Sequence, residues 1–181
     1  MTEMRFEALT KDESLWAVAY DGETQNAFDT VFDKWFDARW LRDFFDNNIK
    51  DLESFFKITD IDQAIFDTLA DAEALQGVIL DMNTPPDEFF RPLEPSRTAE
   101  MTLGKEKAKG PLRSHPSWLR LYAVKLQSNR YLITGGAIKL TATMQEREHT
   151  AEELRKLNMV REALLREGVI DYEGFKSMLD D

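Results

Sequence analysis

WLRLYAVKLQSNRYLITGGAIKLTATMQER, residues 118–147, reads as two strands joined by a turn and followed by a loop rich in Lys, Arg and Thr. The two apolar runs, WLRLYAVKL and RYLITGGAIKL, flank Gln127-Ser-Asn-Arg130, whose polar centre suits a hairpin turn. Alternation along the first run sends Trp118, Arg120, Tyr122 and Val124 to one face and Leu119, Leu121, Ala123 and Lys125 to the other. Trp118, Arg120 and Tyr122 together suit a surface that grips a phosphate and stacks on a base. The same pattern also suits an ordinary sheet face covered by a helix, with Arg120 in an ion pair. In the second run Gly135-Gly136 marks a bulge or a close backbone approach, and Lys139, Thr141 and Thr143 alternate onto one side.

This hairpin is the centre of a basic island in an acidic chain. Residues 91–147 carry eleven Lys/Arg against four Glu, a balance of +7, whereas residues 1–90 stand at −14 and residues 148–181 at −4. Binding of a polyanion needs clustered cations, so such a surface requires the acidic segments to fold away from it.

Working outward, Met4, Phe6 and Ala8 alternate with polar residues, and Leu15–Tyr20 (LWAVAY) follows the polar KDES, which predicts an N-terminal β-hairpin. From Thr24 the period changes. Phe28, Val31, Phe32, Trp35, Phe36, Trp40, Phe44 and Phe45 recur at three- and four-residue steps, which predicts one amphipathic helix of about six turns. Asp60-Ile-Asp-Gln63 resembles a capping box and opens a second helix that runs toward Leu80 and stops at Pro85-Pro86. FFRPL and TAEMTLGKEK are strand-like. Thr150-Ala-Glu-Glu153 is read as the capping box of a helix through Leu165, with Gly168 as its C-cap and a short last helix over 171–179. The predicted class is α+β: an antiparallel sheet made of the N-terminal hairpin and three central strands, packed with an N-terminal helical hairpin and C-terminal helices. Residues 1–181 are expected to form one domain, with an acidic helical hairpin layer over 22–86.

Composition narrows the chemistry. The 181 residues include twelve Phe, four Trp and no Cys, which fits a globular core and removes disulfides and thiol nucleophiles. Only His115 and His149 offer imidazole, and no phosphate-loop, dinucleotide or EF-hand spacing occurs, so no metal and no cofactor is expected. No signal peptide or membrane-length apolar run is read in the chain, and a cytoplasmic protein is the expectation. His149, beside Thr150, is a candidate general acid or base, or a surface residue at a helix entry. Asp29, Asp33 and Asp37, at four-residue steps, make a solvated helix face or a docking face for a basic partner.

LRLYAVKLQSNRYLITGGAIKLTATMQER followed by a capped helix resembles the RelE/HigB-type toxin superfamily of bacterial toxin–antitoxin systems, over roughly residues 89–167. The resemblance lies in the R-x-x-Y-like strand, the apolar partner strand ending in a Lys-containing loop, and the order of two helices before three strands. It implies a metal-independent endoribonuclease that cleaves messenger RNA on the ribosome, held in check by a cognate antitoxin, for which a helix-turn-helix protein is a candidate. Carried over by position, Arg120 holds the scissile phosphate, Lys139 neutralises the transition state and Tyr122 stacks on or positions the base. Lys125 and Arg113 are supporting cations, and Arg147 and His149 are candidates from their proximity to the loop. Trp118, Thr141 and Thr143 complete the RNA-contacting set. The chain is longer and more acidic than members of that family, so it reads as an enlarged relative. The alternative is a non-catalytic protein-interaction module on the same scaffold. The two readings separate on whether Arg120, Lys139 and Lys125 converge on an open concavity or are paired with acids.

Overall fold

The computed structural model describes residues 3–94, 102–111 and 115–181. The fold is α+β, with six α-helices among the described residues and one six-stranded sheet. The N-terminal hairpin forms as expected: β1 (Arg5–Ala8) pairs antiparallel with β2 (Leu15–Ala19). All five residues of β2 are buried, because the sheet is covered on both faces. Leu15 and Ala17 enter one core, and Trp16 and Val18 the other.

The long helix expected from Thr24 is three shorter ones: α1 (Ala27–Trp35), α2 (Ala38–Asn47) and α3 (Ile49–Phe56). The break has a local cause. Asp37 leaves the helical conformation, and its carboxylate accepts the backbone N–H of Arg39 at 3.0 Å and of Trp40 at 3.1 Å. An Asp in that role starts a new helix, so the apolar three-four pattern continues across a corner that periodicity alone does not reveal. Asp29 and Asp33 are exposed on α1. Lys57, in the left-handed region at φ 59°, ends α3. The next helix, α4 (Ile61–Leu80), starts where expected, with Asp60 accepting the Gln63 N–H. The 22–86 layer is therefore four helices rather than a hairpin.

After α4 come β3 (Phe90–Pro92), β4 (Lys105–Lys109), β5 (Leu119–Gln127) and β6 (Arg130–Ile138), then α5 (Glu148–Arg166) and α6 (Tyr172–Leu179). The sheet order is β1-β2-β6-β5-β4-β3. Neighbours are antiparallel except β2 and β6, which run parallel with Leu15 opposite Tyr131 and Ala17 opposite Ile133. The sheet is thus mixed, not antiparallel. The turn at Ser128-Asn129 is as read, with Asn129 at φ 59°.

Helices α1–α4 cover one face of the sheet, where Phe28, Phe32, Trp35 and Phe45 meet Leu119, Leu121, Tyr131 and Ile133. The other face is covered by α5 and α6, with Leu157, Val160, Leu164 and Phe175 against Trp16, Tyr122, Val124 and Leu132. The Gly135-Gly136 pair lies where both layers press on β6. The register slips there, Tyr122 facing Gly135 and Ala123 facing Ile133. A Cβ on Gly136 would sit 2.8 Å from the Arg120 carbonyl and 3.3 Å from Trp35, and one on Gly135 would sit 2.2 Å from a Glu153 carboxylate oxygen. Glycine is needed here for close approach rather than for a special backbone angle.

The capping box read at Thr150–Glu153 is displaced. It occurs instead at Thr143 and Glu146, on a short 3₁₀ turn over Met144–Glu146. Thr150 lies inside the first turn of α5 and donates its hydroxyl to the carbonyls of Met144 and Arg147, while Glu153 turns onto the sheet and accepts the Gly136 N–H at 2.9 Å. Gly168, at φ 81°, follows the C-terminus of α5 as expected. No helix among the described residues is long and apolar enough to cross a membrane.

Candidate functional site

Strand β4 carries the sequence KEKAK, so its side chains alternate by charge. Glu106 and Ala108 turn toward α1–α4, and Lys105, Lys107 and Lys109 toward the α5 face. In the β4–β5 register Lys107 stands directly opposite Tyr122 and Lys109 directly opposite Arg120. Like charges directly opposite each other destabilise a sheet, so this arrangement is maintained against its own repulsion. Lys139, just past the end of β6, joins the group, its backbone N–H bonded to the Trp118 carbonyl at 2.7 Å.

All of these cations but Lys109 line a cleft of about 460 Å³ whose walls include Lys105, Lys107, Arg120, Tyr122, Lys139 and Thr143, together with Leu93, Glu94, Ala142, Met144, Leu154 and Asn158. None of Lys105, Lys107, Lys109, Arg120 and Lys139 forms an ion pair among the described residues. Lys105 donates instead to the Asn158 side-chain oxygen at 3.0 Å and Lys107 to the Leu93 carbonyl at 3.3 Å. Burial, reinforced by Lys109, Lys139 and Arg120, pushes the Lys107 ammonium down to about 8. Burial and then Arg120 and Lys109 lower Lys139, and burial lowers Arg120. One guanidinium nitrogen of Arg120 donates to the carbonyls of Ser117 and Leu119, at 2.6 and 2.9 Å. Its Nε and the Tyr122 hydroxyl are buried without a hydrogen-bond partner among the described residues. Unsatisfied polar atoms beside cations that form no ion pair among the described residues are costly, and a bound anion would relieve both.

The acidic helices lie on the far side of the sheet. Helices α1–α4 pack on the face bearing Leu119 and Leu121, whereas Tyr122, and with it Arg120 two residues away, faces α5. The segment with the largest negative balance therefore folds away from the cleft.

Several residues expected at the site are elsewhere. Trp118 is fully buried on the α1–α4 side, its indole N–H donating to Thr68 at 2.9 Å and its ring stacked on His115 with centroids 4.4 Å apart. It offers no surface to a base. Tyr122 is 1% exposed, so it lines the cleft floor and cannot stack on a base. Lys125 is on the opposite face, 3.7 Å from Asp87 and above the Tyr131 ring. Arg147 makes a two-pronged pair with Asp51 of α3, both contacts at 2.7 Å, and this holds the Asp51 carboxyl below the usual aspartate range. His149 is hydrogen-bonded to the Ile138 carbonyl at 2.8 Å and set edge-on to Phe44, outside the cleft walls. Thr141 is buried and donates to the Thr143 carbonyl, and Thr143 alone of the two reaches the cleft. Arg113 lies outside the described residues.

Of the expected set the structure thus brings together Arg120, Lys139, Tyr122 and Thr143. It adds Lys107 and Lys109, which the period-two alternation of KEKAK could have singled out. Among the described residues no cluster of His and acidic side chains could hold a metal ion. Comparison of the chain with protein-family models, with curated proteins and with solved structures gives no match.

Proposed function

We propose that this chain is a toxin-like endoribonuclease that cleaves messenger RNA, acting on the ribosome and restrained by a cognate antitoxin. The observation that carries the reading is the convergence of Lys107, Arg120 and Lys139 on one cleft, unpaired among the described residues and turned away from the acidic helices. A phosphodiester satisfies such a group, and charge that develops on phosphorus is stabilised by fixed cations in a partly desolvated site.

In the proposed reaction the neutral amine of Lys107 takes the proton of the ribose 2′-hydroxyl as that oxygen bonds to the adjacent phosphorus. Arg120 and Lys139 hold the extra negative charge. The bond from phosphorus to the 5′-oxygen breaks, and that oxygen takes a proton from the Lys139 ammonium. The products are a 2′,3′-cyclic phosphate and a 5′-hydroxyl, and the protons balance between the two lysines.

One observation favours a second reading, a non-catalytic interaction module: Arg147 and Lys125 are engaged by Asp51 and Asp87 rather than presented to RNA. A reconstituted translation reaction separates the two. With purified protein added, messages are expected to shorten at defined positions, and Arg120→Ala with Lys139→Ala is expected to leave them whole. Intact messages together with normal growth of cells that express the chain would overturn the nuclease reading.

A further inference from the structure

Helix α4 is apolar on two sides. Its inner side sends Ala64, Ile65, Ala72, Leu75 and Ile79 into the core shared with the sheet. Its outer side carries Phe66, Ala70, Glu73, Gly77 and Leu80 at alternating steps of four and three residues, the spacing that sets one helix along another. Ala70 is half-buried and the other four are exposed, Phe66 by 66% and Leu80 by 42%. From Phe66 to Leu80 this seam is about 21 Å long. A helix that is apolar all round is ordinarily covered all round, yet this side of α4 lies open.

Gly77 adds a second observation. Glycine inside a helix costs stability relative to alanine, and it is of use where a left-handed angle or a close approach requires it. Gly77 has neither within the chain: its φ is not positive, and an added Cβ would meet nothing within 4 Å. A partner helix laid along the seam would supply the close approach.

The charge on the seam selects the occupant. Helix α4 holds no Lys or Arg. Of its acids, Asp62 is paired with Arg42, Asp67 is bonded to His115 and Asp71 is buried, while Glu73, at the centre of the seam, forms no ion pair among the described residues. A second copy of the chain fits poorly. Glu73 has two seam residues on either side, so antiparallel copies related by a two-fold axis set Glu73 against Glu73, and parallel copies in register do the same. Like charges placed face to face oppose pairing. We infer that the outer face of α4 is a docking surface for an amphipathic helix of a different protein, with apolar residues at four-three spacing and a Lys or Arg opposite Glu73. The surface lies across the sheet from the cleft, so the inference stands apart from the reading of the cleft, and its occupant leaves the cleft open.

The test is calorimetric titration of the full chain with two synthetic helical peptides of about 20 residues, the length of α4. Both carry leucine at four-three spacing, and they differ only at the central seam position, lysine in one and glutamate in the other. The lysine peptide is expected to bind about 10-fold more tightly or better, and Glu73→Lys to reverse the order. Gly77→Leu is expected to weaken the lysine peptide by about 10-fold or more by blocking close approach, while the melting temperature of the chain holds or rises, because leucine is the better helix former and the Cβ position is open. Phe66→Ser is expected to weaken it as well without loss of the fold, since Phe66 is exposed. Failure of both peptides to bind, or a lysine peptide that binds a folded Gly77→Leu chain unchanged, would overturn the docking surface. So would a chain that sediments as a dimer and becomes monomeric on Gly77→Leu, which would give the seam to a second copy.

Discussion

Lys107→Arg is expected to lower kcat/KM for the proposed RNA cleavage by about 100-fold or more at pH 7, the usual scale of a lost general base, while RNA still binds. The reason is the position of Lys107 between Tyr122 across the sheet and the cations Lys109, Lys139 and Arg120. Burial and those charges bring its ammonium down to about 8, so about one molecule in ten carries the neutral amine at pH 7. Arginine keeps the charge and the attraction for phosphate but does not deprotonate in proteins. The pH profile follows the same logic. In the proposed reaction only the deprotonated Lys107 can accept the 2′-hydroxyl proton, so kcat/KM rises with pH toward about 8 and falls again where the Lys139 ammonium, lowered by burial and by Arg120 and Lys109, loses the proton it must donate; in Lys107→Arg the rising limb disappears. Rates in the Arg variant equal to those of the parent chain, or a profile that keeps its rising limb, would remove Lys107 from the role of base.

The second large effect is on stability. Trp118→Ala is expected to cost about 3–5 kcal/mol, the range for removing a large aromatic side chain from a core, which for a chain of this size lowers the melting temperature by about 10 °C. The indole is completely buried, packs edge-on against Phe45 and Phe56 with centroids 5.5 and 5.1 Å away, and donates to Thr68. Its loss leaves a cavity beside α4 and removes the donor that the Thr68 hydroxyl accepts, while that hydroxyl keeps its own bond to the Ala64 carbonyl. If Trp118 instead served as an exposed stacking platform, the substitution would weaken RNA binding and leave the melting temperature nearly unchanged. Thermal denaturation of the purified variant distinguishes the two.

Local signals carried most of the fold. The N-terminal hairpin, the Asp60 start of α4, the Ser128-Asn129 turn and the Gly168 helix end each rest on side chains within a few residues, and each stands where the sequence places it. What misled was context. The aromatic stripe from Phe28 to Phe45 keeps its period across the Asp37 corner, because α1 and α2 bury their stripes in the same core. The parallel pairing of β2 with β6 joins segments more than 100 residues apart, and nothing local announces it.

The site was legible in part for the same reason. Alternation along β5 separates Arg120 from Lys125, but it does not say that α5 lies over the Arg120 face and so buries Tyr122. In the sequence the basic loop runs on directly from the strands, yet Arg147 belongs electrostatically to Asp51, 96 residues earlier. Lys107 and Lys109 were visible in KEKAK as a strand with one charged face. Their importance emerged only from the register that sets Lys109 against Arg120.

In the proposed reaction RNA is cleaved in this cleft by the chain's own cations. The most direct measurement maps the ends of RNA fragments produced with purified protein in the presence of EDTA, for the parent chain and for Arg120→Ala with Lys139→Ala. The expected result is 2′,3′-cyclic phosphate and 5′-hydroxyl ends from the parent chain and uncut RNA from the double variant. Fragments with 5′-phosphate ends, cleavage abolished by EDTA, or unchanged cleavage by a folded double variant would contradict it.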